Sequence, residues 1–254
     1  MENKIKEQLK LIENEKGIKI LLACETGSRA WGFPSPDSDY DVRIIYKHQL
    51  DWYLSLNEKK DTIEIMLEDG NLDITGWDIR KCLRLLWKSN GALLERIQSP
   101  IVYLEEDNIS QLLYQYAAQC FSPIATIYHY LGLAKNSFAD VEHAKEVKLK
   151  KLFYALRATL SSKWIIDKNS IPPIVFMTMV DELDFDDDLK IKIKELVALK
   201  ALKNESYMHY EELKINDFIR NEVDQAEHKA KGLSGMKNKN VDLDSLFLEI
   251  IKKY

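Results

Sequence analysis

The stretch from Gly27 to Arg43 constrains the fold of this chain more than any other. It reads Gly-Ser-Arg-Ala-Trp-Gly-Phe-Pro-Ser-Pro-Asp-Ser-Asp-Tyr-Asp-Val-Arg. An apolar run, Gly17 to Cys24, precedes the Gly-Ser pair, and a second run, Val42 to Tyr46, follows the Asp-x-Asp. Short apolar runs bounded by turn formers read as strands. Residues two apart on a strand point to one face, so Asp39 and Asp41 project side by side. Carboxylates this close repel each other unless a cation lies between them. Mg²⁺ suits such a pair, because it takes one or two carboxylates and completes its shell with phosphate oxygens and water. Two ions about 3.5–4 Å apart activate an attacking oxygen and neutralise a leaving group. Gly27 permits a turn that a Cβ would hinder. Ser28 and the N–H groups after it then face a phosphate if residues 28–31 open a helix.

A third acid is expected on a neighbouring strand. Thr62 to Leu67 reads as a strand, Glu68-Asp69-Gly70-Asn71 as a hairpin turn, and Leu72 to Thr75 as the returning strand. Asp73 alternates with Leu72 and Ile74 and is the choice for the third carboxylate. Glu64 competes on the same ground of alternation. Asp78 precedes an amphipathic stretch from Ile79 and fits a helix N-cap instead.

With these residues in place, the chain resembles the DNA polymerase β-type nucleotidyltransferases: Gly27-Ser28, then Asp39-x-Asp41, then Asp73 match their three-part pattern. It is more closely similar to the YcgL/RlaP-like predicted nucleotidyltransferases, through Gly-Ser-Arg-Ala-Trp-Gly, Ser-Asp-Tyr-Asp-Val-Arg and Trp77-Asp78-Ile79-Arg80-Lys81. Lys88-Ser89-Asn90, Leu94-Glu95, Ser99 to Tyr103, His129-Tyr130, Ala134-Lys135 and Tyr154 to Arg157 continue that likeness, which spans about residues 17–175. The resemblance implies a nucleoside triphosphate substrate and two Mg²⁺ ions, with Mn²⁺ as a substitute, held by Asp39, Asp41 and Asp73. It implies that Gly27 and Ser28 orient the phosphates, with Arg29 assisting. The acceptor hydroxyl stays open among an RNA end, a protein and a small molecule. A non-catalytic nucleotide-binding or antitoxin-like partner on the same fold is the other reading.

The expected fold class is α+β: a small mixed polymerase β-like sheet flanked by helices over residues 1–107, then a mainly helical region over 108–254 that completes the cleft. Strand signals fade after about residue 108, and apolar residues recur at three- and four-residue steps. That periodicity predicts helices over 109–121, 124–135, 141–166, 176–182, 187–202 and 205–232. Residues 3–15 read as an amphipathic helix, 79–98 as a helix with a break at Asn90-Gly91, 101–104 as a strand, and 241–254 as a capped final helix. Residues 232–240 are rich in Gly, Ser and Lys and read as a mobile connection.

Within the helical half, Lys150, Tyr154 and Arg157 recur at helical spacing and lie nearly on one face. They form a candidate nucleotide or phosphate surface, with Lys135 as a further candidate cation. Trp31, Trp77, Trp87 and Trp164 are expected in the core. The net charge of −5 argues against a general nucleic-acid coat but leaves room for a local basic groove. Cys24, Cys82 and Cys120 show no metal-binding spacing, and an odd, sparse set fits free thiols in a reducing cytoplasm. No apolar run is long enough to span a membrane.

Overall fold

The computed structural model describes residues 1–66, 71–233 and 241–253. In chain order the elements begin α1 (Glu2–Lys16), β1 (Ile18–Glu25), α2 (Gly27–Trp31), β2 (Tyr40–His48), α3 (Leu50–Tyr53), β3 (Thr62–Met66) and β4 (Leu72–Asp78). They continue with α4 (Ile79–Trp87), α5 (Gly91–Arg96), β5 (Val102–Glu105), α6 (Ile109–Cys120), α7 (Pro123–Ala139), β6 (Glu146–Lys148) and α8 (Leu149–Lys168). The last are α9 (Phe176–Glu182), α10 (Asp187–Lys200), β7 (Met208–Tyr210), α11 (Leu213–Ala230) and α12 (Leu243–Lys253). The chain divides into two units: Met1–Gly27, Asp39–Cys120 and Asn238–Tyr254 make one, and Ser28–Ser38 with Phe121–Lys237 makes the other.

The first unit is built on a five-stranded mixed sheet in the order β3-β4-β2-β1-β5. Seven of the eight residues of β1 are buried, as a strand flanked on both edges requires. β1 runs antiparallel to β2 and β5, β4 is antiparallel to β3, and β2 and β4 are parallel. The parallel register sets Asp41 opposite Asp73, Val42 opposite Ile74 and Ile44 opposite Gly76. That last glycine is required, since a Cβ there would lie 2.6 Å from Ile44 Cγ1. α1 buries Ile5, Leu9 and Ile12, spaced four and three apart, and stops at Gly17 in the left-handed conformation. Asp78 caps α4 by accepting from the Arg80 N–H at 2.8 Å. The break expected at Asn90-Gly91 is present, and Asn90 Oδ1 caps α5 through the Leu93 N–H at 3.1 Å. α12 belongs to this unit: the buried Lys47 donates to the carbonyls of Ile250 and Ile251 at 3.5 and 3.2 Å.

The second unit is helical around α8, whose buried residues lie on every side, including Arg157, Thr159, Ser161 and Ser162. The three hydroxyls donate to carbonyls one turn back, so they enter the core satisfied. Phe33 packs tilted against Phe153 and edge-on to Phe176 in the core of this unit.

Two helices read from periodicity are shorter than expected. The span 141–166 begins with a turn and β6 before α8, and 205–232 begins with β7 before α11. β6 and β7 pair antiparallel, Glu146 opposite Tyr210, across a long sequence separation. In β6 only Val147 is buried, a pattern too brief to compete with the helical period. The expected turn at Glu68-Asp69-Gly70 and the connection over 234–240 lie outside the described residues. The 107/108 division falls where strand signals fade; by contacts, Ile109–Cys120 group with the first unit and Ser28–Ser38 with the second. The fold class is as expected: a mixed five-stranded sheet flanked by helices, with a mainly helical C-terminal region. Among the described residues no helix is long and apolar enough to cross a membrane.

Candidate functional site

The acids converge because of strand register. Asp39 precedes β2, Asp41 lies two residues further on, and Asp73 on β4 pairs with Asp41 in the parallel ladder. The backbone of Asp41 is gripped from β1. Its N–H donates to Glu25 Oε1 at 2.6 Å, and its carbonyl accepts from the N–H and the hydroxyl of Thr26 at 2.9 and 3.1 Å. Glu25 is fully buried and also accepts from the Tyr103 hydroxyl. Gly27 has a φ of +65°, and a Cβ on it would stand 2.5 Å from Asp41 Oδ2. The glycine therefore supplies both the left-handed turn and the room for a carboxylate oxygen.

Burial raises the pKa of Asp41 above the ordinary carboxylate value, Arg43 opposes that, and Asp73 and Asp39 add to it. Arg43 Nη2 bonds Asp41 Oδ1 and Nη1 bonds Asp73 Oδ2, both at 2.9 Å. Among the described residues no group of three or more His, Cys, Asp or Glu side chains forms a cage for a metal ion. A pair of carboxylates with an open side still suits Mg²⁺, which draws its remaining ligands from phosphate and water.

Of the competing acids, Asp78 is a buried N-cap that also accepts from the Tyr53 hydroxyl at 2.7 Å. Glu64 is exposed on β3, opposite Thr75. Sequence reasoning missed Glu25 and Arg43. Arg43 was legible, because it continues the alternation of Asp39 and Asp41. Glu25 carried no signal, since its role depends on the β1–β2 register.

The helical unit gathers several of the other candidates. Ser28 Oγ donates to Ser38 Oγ at 3.1 Å, and Ser38 Oγ donates to Glu205 Oε1 at 2.9 Å. Lys150 Nζ donates to Glu205 Oε2 at 2.6 Å, so Ser28 and Lys150 belong to one network through a carboxylate unforeseen from sequence. Burial pushes the pKa of Glu205 up, but the Lys150 and Ser38 bonds hold it below the ordinary value. The buried Lys200 donates to Ser35 Oγ at 2.9 Å beside this network. Arg29 Nη2 donates to the Ser38 carbonyl at 2.7 Å. Tyr154 meets Trp31 edge-on, and the Arg157 guanidinium lies 4.1 Å from the Trp31 ring centroid. Lys135 is elsewhere: it forms an exposed ion pair with Glu227 at 2.8 Å. Of the four tryptophans expected in the core, Trp164 is buried, while Trp31, Trp77 and Trp87 are only half-buried. The latter three lie beside cationic or polar groups: Arg157 covers Trp31, Arg96 covers Trp77, and Trp87 lines a groove with Arg84 and Lys88.

A mixed sheet with a Gly-Ser turn after its first strand and register-paired aspartates on the next two defines the polymerase β-type nucleotidyltransferase-like class. The chain belongs to the RNA repair pathway DNA polymerase beta family, RlaP, whose match covers residues 1–249. It is 39% identical over 254 residues to the Bacillus subtilis (strain 168) protein called Uncharacterized protein YcgL, covering 100% of this chain and 97% of that one. It is also similar to the crystal structure of a nucleotidyltransferase-like protein from Exiguobacterium sibiricum 255-15, at 13% identity and a TM-score of 0.33. That match covers 90% of this chain and 75% of the other.

Proposed function

We propose that the chain transfers a nucleoside monophosphate from a nucleoside triphosphate to an acceptor hydroxyl and releases pyrophosphate. The observation that carries this reading is the pairing of Asp41 with Asp73 in one parallel ladder, with Asp39 two residues away. Asp39, Asp41 and Asp73 would hold Mg²⁺, which supplies charge neutralisation for the triphosphate and the departing pyrophosphate. Asp73, as one of the metal-holding acids, would help deprotonate the acceptor hydroxyl, the proton leaving to solvent. The acceptor oxygen then forms its bond to the α-phosphorus as the bond to the β-phosphate bridging oxygen breaks. Gly27 keeps the turn close to Asp41. The rate gain comes from positioning and electrostatics rather than from a covalent intermediate. An RNA end is the favoured acceptor, supported by the family's RNA repair description.

Incubation with each α-³²P-labelled nucleoside triphosphate, Mg²⁺ and cell RNA or cell protein tests this reading. Label should pass to an RNA end with the native chain, and Asp41→Asn and Asp73→Asn should lower transfer by at least about 100-fold, as for loss of a group that acts in the transition state. Nucleotide binding without transfer to any acceptor would replace the catalytic reading with that of a non-catalytic partner.

A further inference from the structure

Arg43 stands two residues beyond Asp41 on β2 and therefore shares its face of the sheet. Its guanidinium makes three hydrogen bonds and one further ion-pair contact. Two go to carboxylates, Asp41 Oδ1 and Asp73 Oδ2, each at 2.9 Å. Two go from Nη1 to backbone carbonyls, Val42 at 3.1 Å and Asp73 at 3.3 Å. A guanidinium is a planar fork with donors in fixed directions, so these contacts settle its plane as well as its position. Each aspartate gives one oxygen to this fork and keeps the other. The one that Asp41 keeps, Oδ2, is the oxygen that lies against Gly27.

We propose that Arg43 is the positioning residue of the carboxylate pair: it holds one oxygen of each aspartate and thereby presents Asp41 Oδ2 and Asp73 Oδ1 together to a divalent cation. This rests on the nucleotidyltransferase reading above. A lysine at this place carries the charge but not the fork, because one ammonium is a point donor. Carboxylates that ligate metals are themselves held by hydrogen bonds, and losing such a holder typically lowers metal affinity by about 10–100-fold. A guanidinium that only balanced charge would behave in the opposite way. Its removal would leave the pair more negative and strengthen cation binding. The sign of the change therefore separates the two roles.

The experiment is a Mn²⁺ titration of the full chain, with free ion read by electron paramagnetic resonance, in the presence and absence of a non-hydrolysable nucleoside triphosphate. Arg43→Gln should bind Mn²⁺ about 10–100-fold more weakly than the native chain, and Arg43→Lys should recover only part of that loss. Unchanged or tighter binding by Arg43→Gln would overturn the proposal while leaving the catalytic reading intact. Failure of the native chain to bind Mn²⁺ with or without nucleotide would overturn the catalytic reading and the role of Arg43 with it. Circular dichroism checks the fold of each variant. If Arg43→Gln does not fold, Arg43→Lys decides: weaker binding than native supports the proposal, and equal or tighter binding overturns it.

Discussion

Gly27 shows how one atom can tie backbone geometry to chemistry. Its left-handed φ costs a substituted residue roughly 1–2 kcal/mol, and the added methyl would meet Asp41 Oδ2 at 2.5 Å. A carboxylate end can swing aside, so the protein tolerates the clash better than the chemistry does. Gly27→Ala should lower the melting temperature modestly but remove most nucleotidyl transfer. Equal losses of stability and activity would show that the methyl acts on folding alone. The residues proposed to carry chemistry by identity and spacing, Gly27, Ser28, Asp39, Asp41 and Asp73, were legible in the sequence as a candidate set. Those that work through register or long-range packing were not. Glu25 reads as the last residue of an apolar strand and becomes a ligand for the Asp41 N–H only once β1 lies beside β2. Glu205 reads as one more acid in a charged helical region and becomes the partner of Lys150 and Ser38 only after the helices pack.

Elements were legible where local chemistry decides them. Asn90-Gly91 interrupts an apolar period that otherwise runs through 79–98, and the side chain of Asn90 then starts α5. Removal of that cap should cost about 1 kcal/mol, the usual value for losing an Asn cap. Urea unfolding of Asn90→Ala should show that loss with an unchanged denaturant slope. A loss below a few tenths of a kcal/mol would mean the break is held by packing around the buried Gly91 rather than by the cap. The β6–β7 ladder escaped detection for the opposite reason. Its three-residue strands depend on each other across a wide sequence gap, and each carries too little alternation to outweigh the helices beside it. α3 is likewise a single turn, too short for any periodic signal.

At the scale of the whole molecule, the sequence order and the order in space differ. The first unit takes in segments from both sides of the second, and α12 completes it. Lys47 is the chemical anchor of that completion, a buried ammonium at the C-terminal carbonyls of α12, where a cation offsets the helix dipole. Burial lowers its pKa, and the carbonyls offset part of that cost. Lys47→Met should loosen α12 by up to about 2 kcal/mol, the upper range for a partly buried cation at a helix end. Hydrogen exchange should therefore speed up across 243–253 while β1 and β2 keep their protection. Uniform acceleration through the sheet would show that α12 and the sheet unfold as one cooperative piece.

The same arrangement has a consequence during biosynthesis. The ribosome must make residues 121–237 before α12 can emerge, which at about 5–20 residues per second takes on the order of ten seconds. Through that interval the sheet-bearing unit lacks the helix that supplies Leu246, Phe247, Ile250 and Ile251. Phe247 packs against Tyr53, and Ile250 lines a small cavity with Leu21 and Leu112. A nascent chain therefore carries an apolar seam that α12 covers only after residues 121–237 have been made. The unit that bears the aspartates is thus completed only after residues 121–237 have been made.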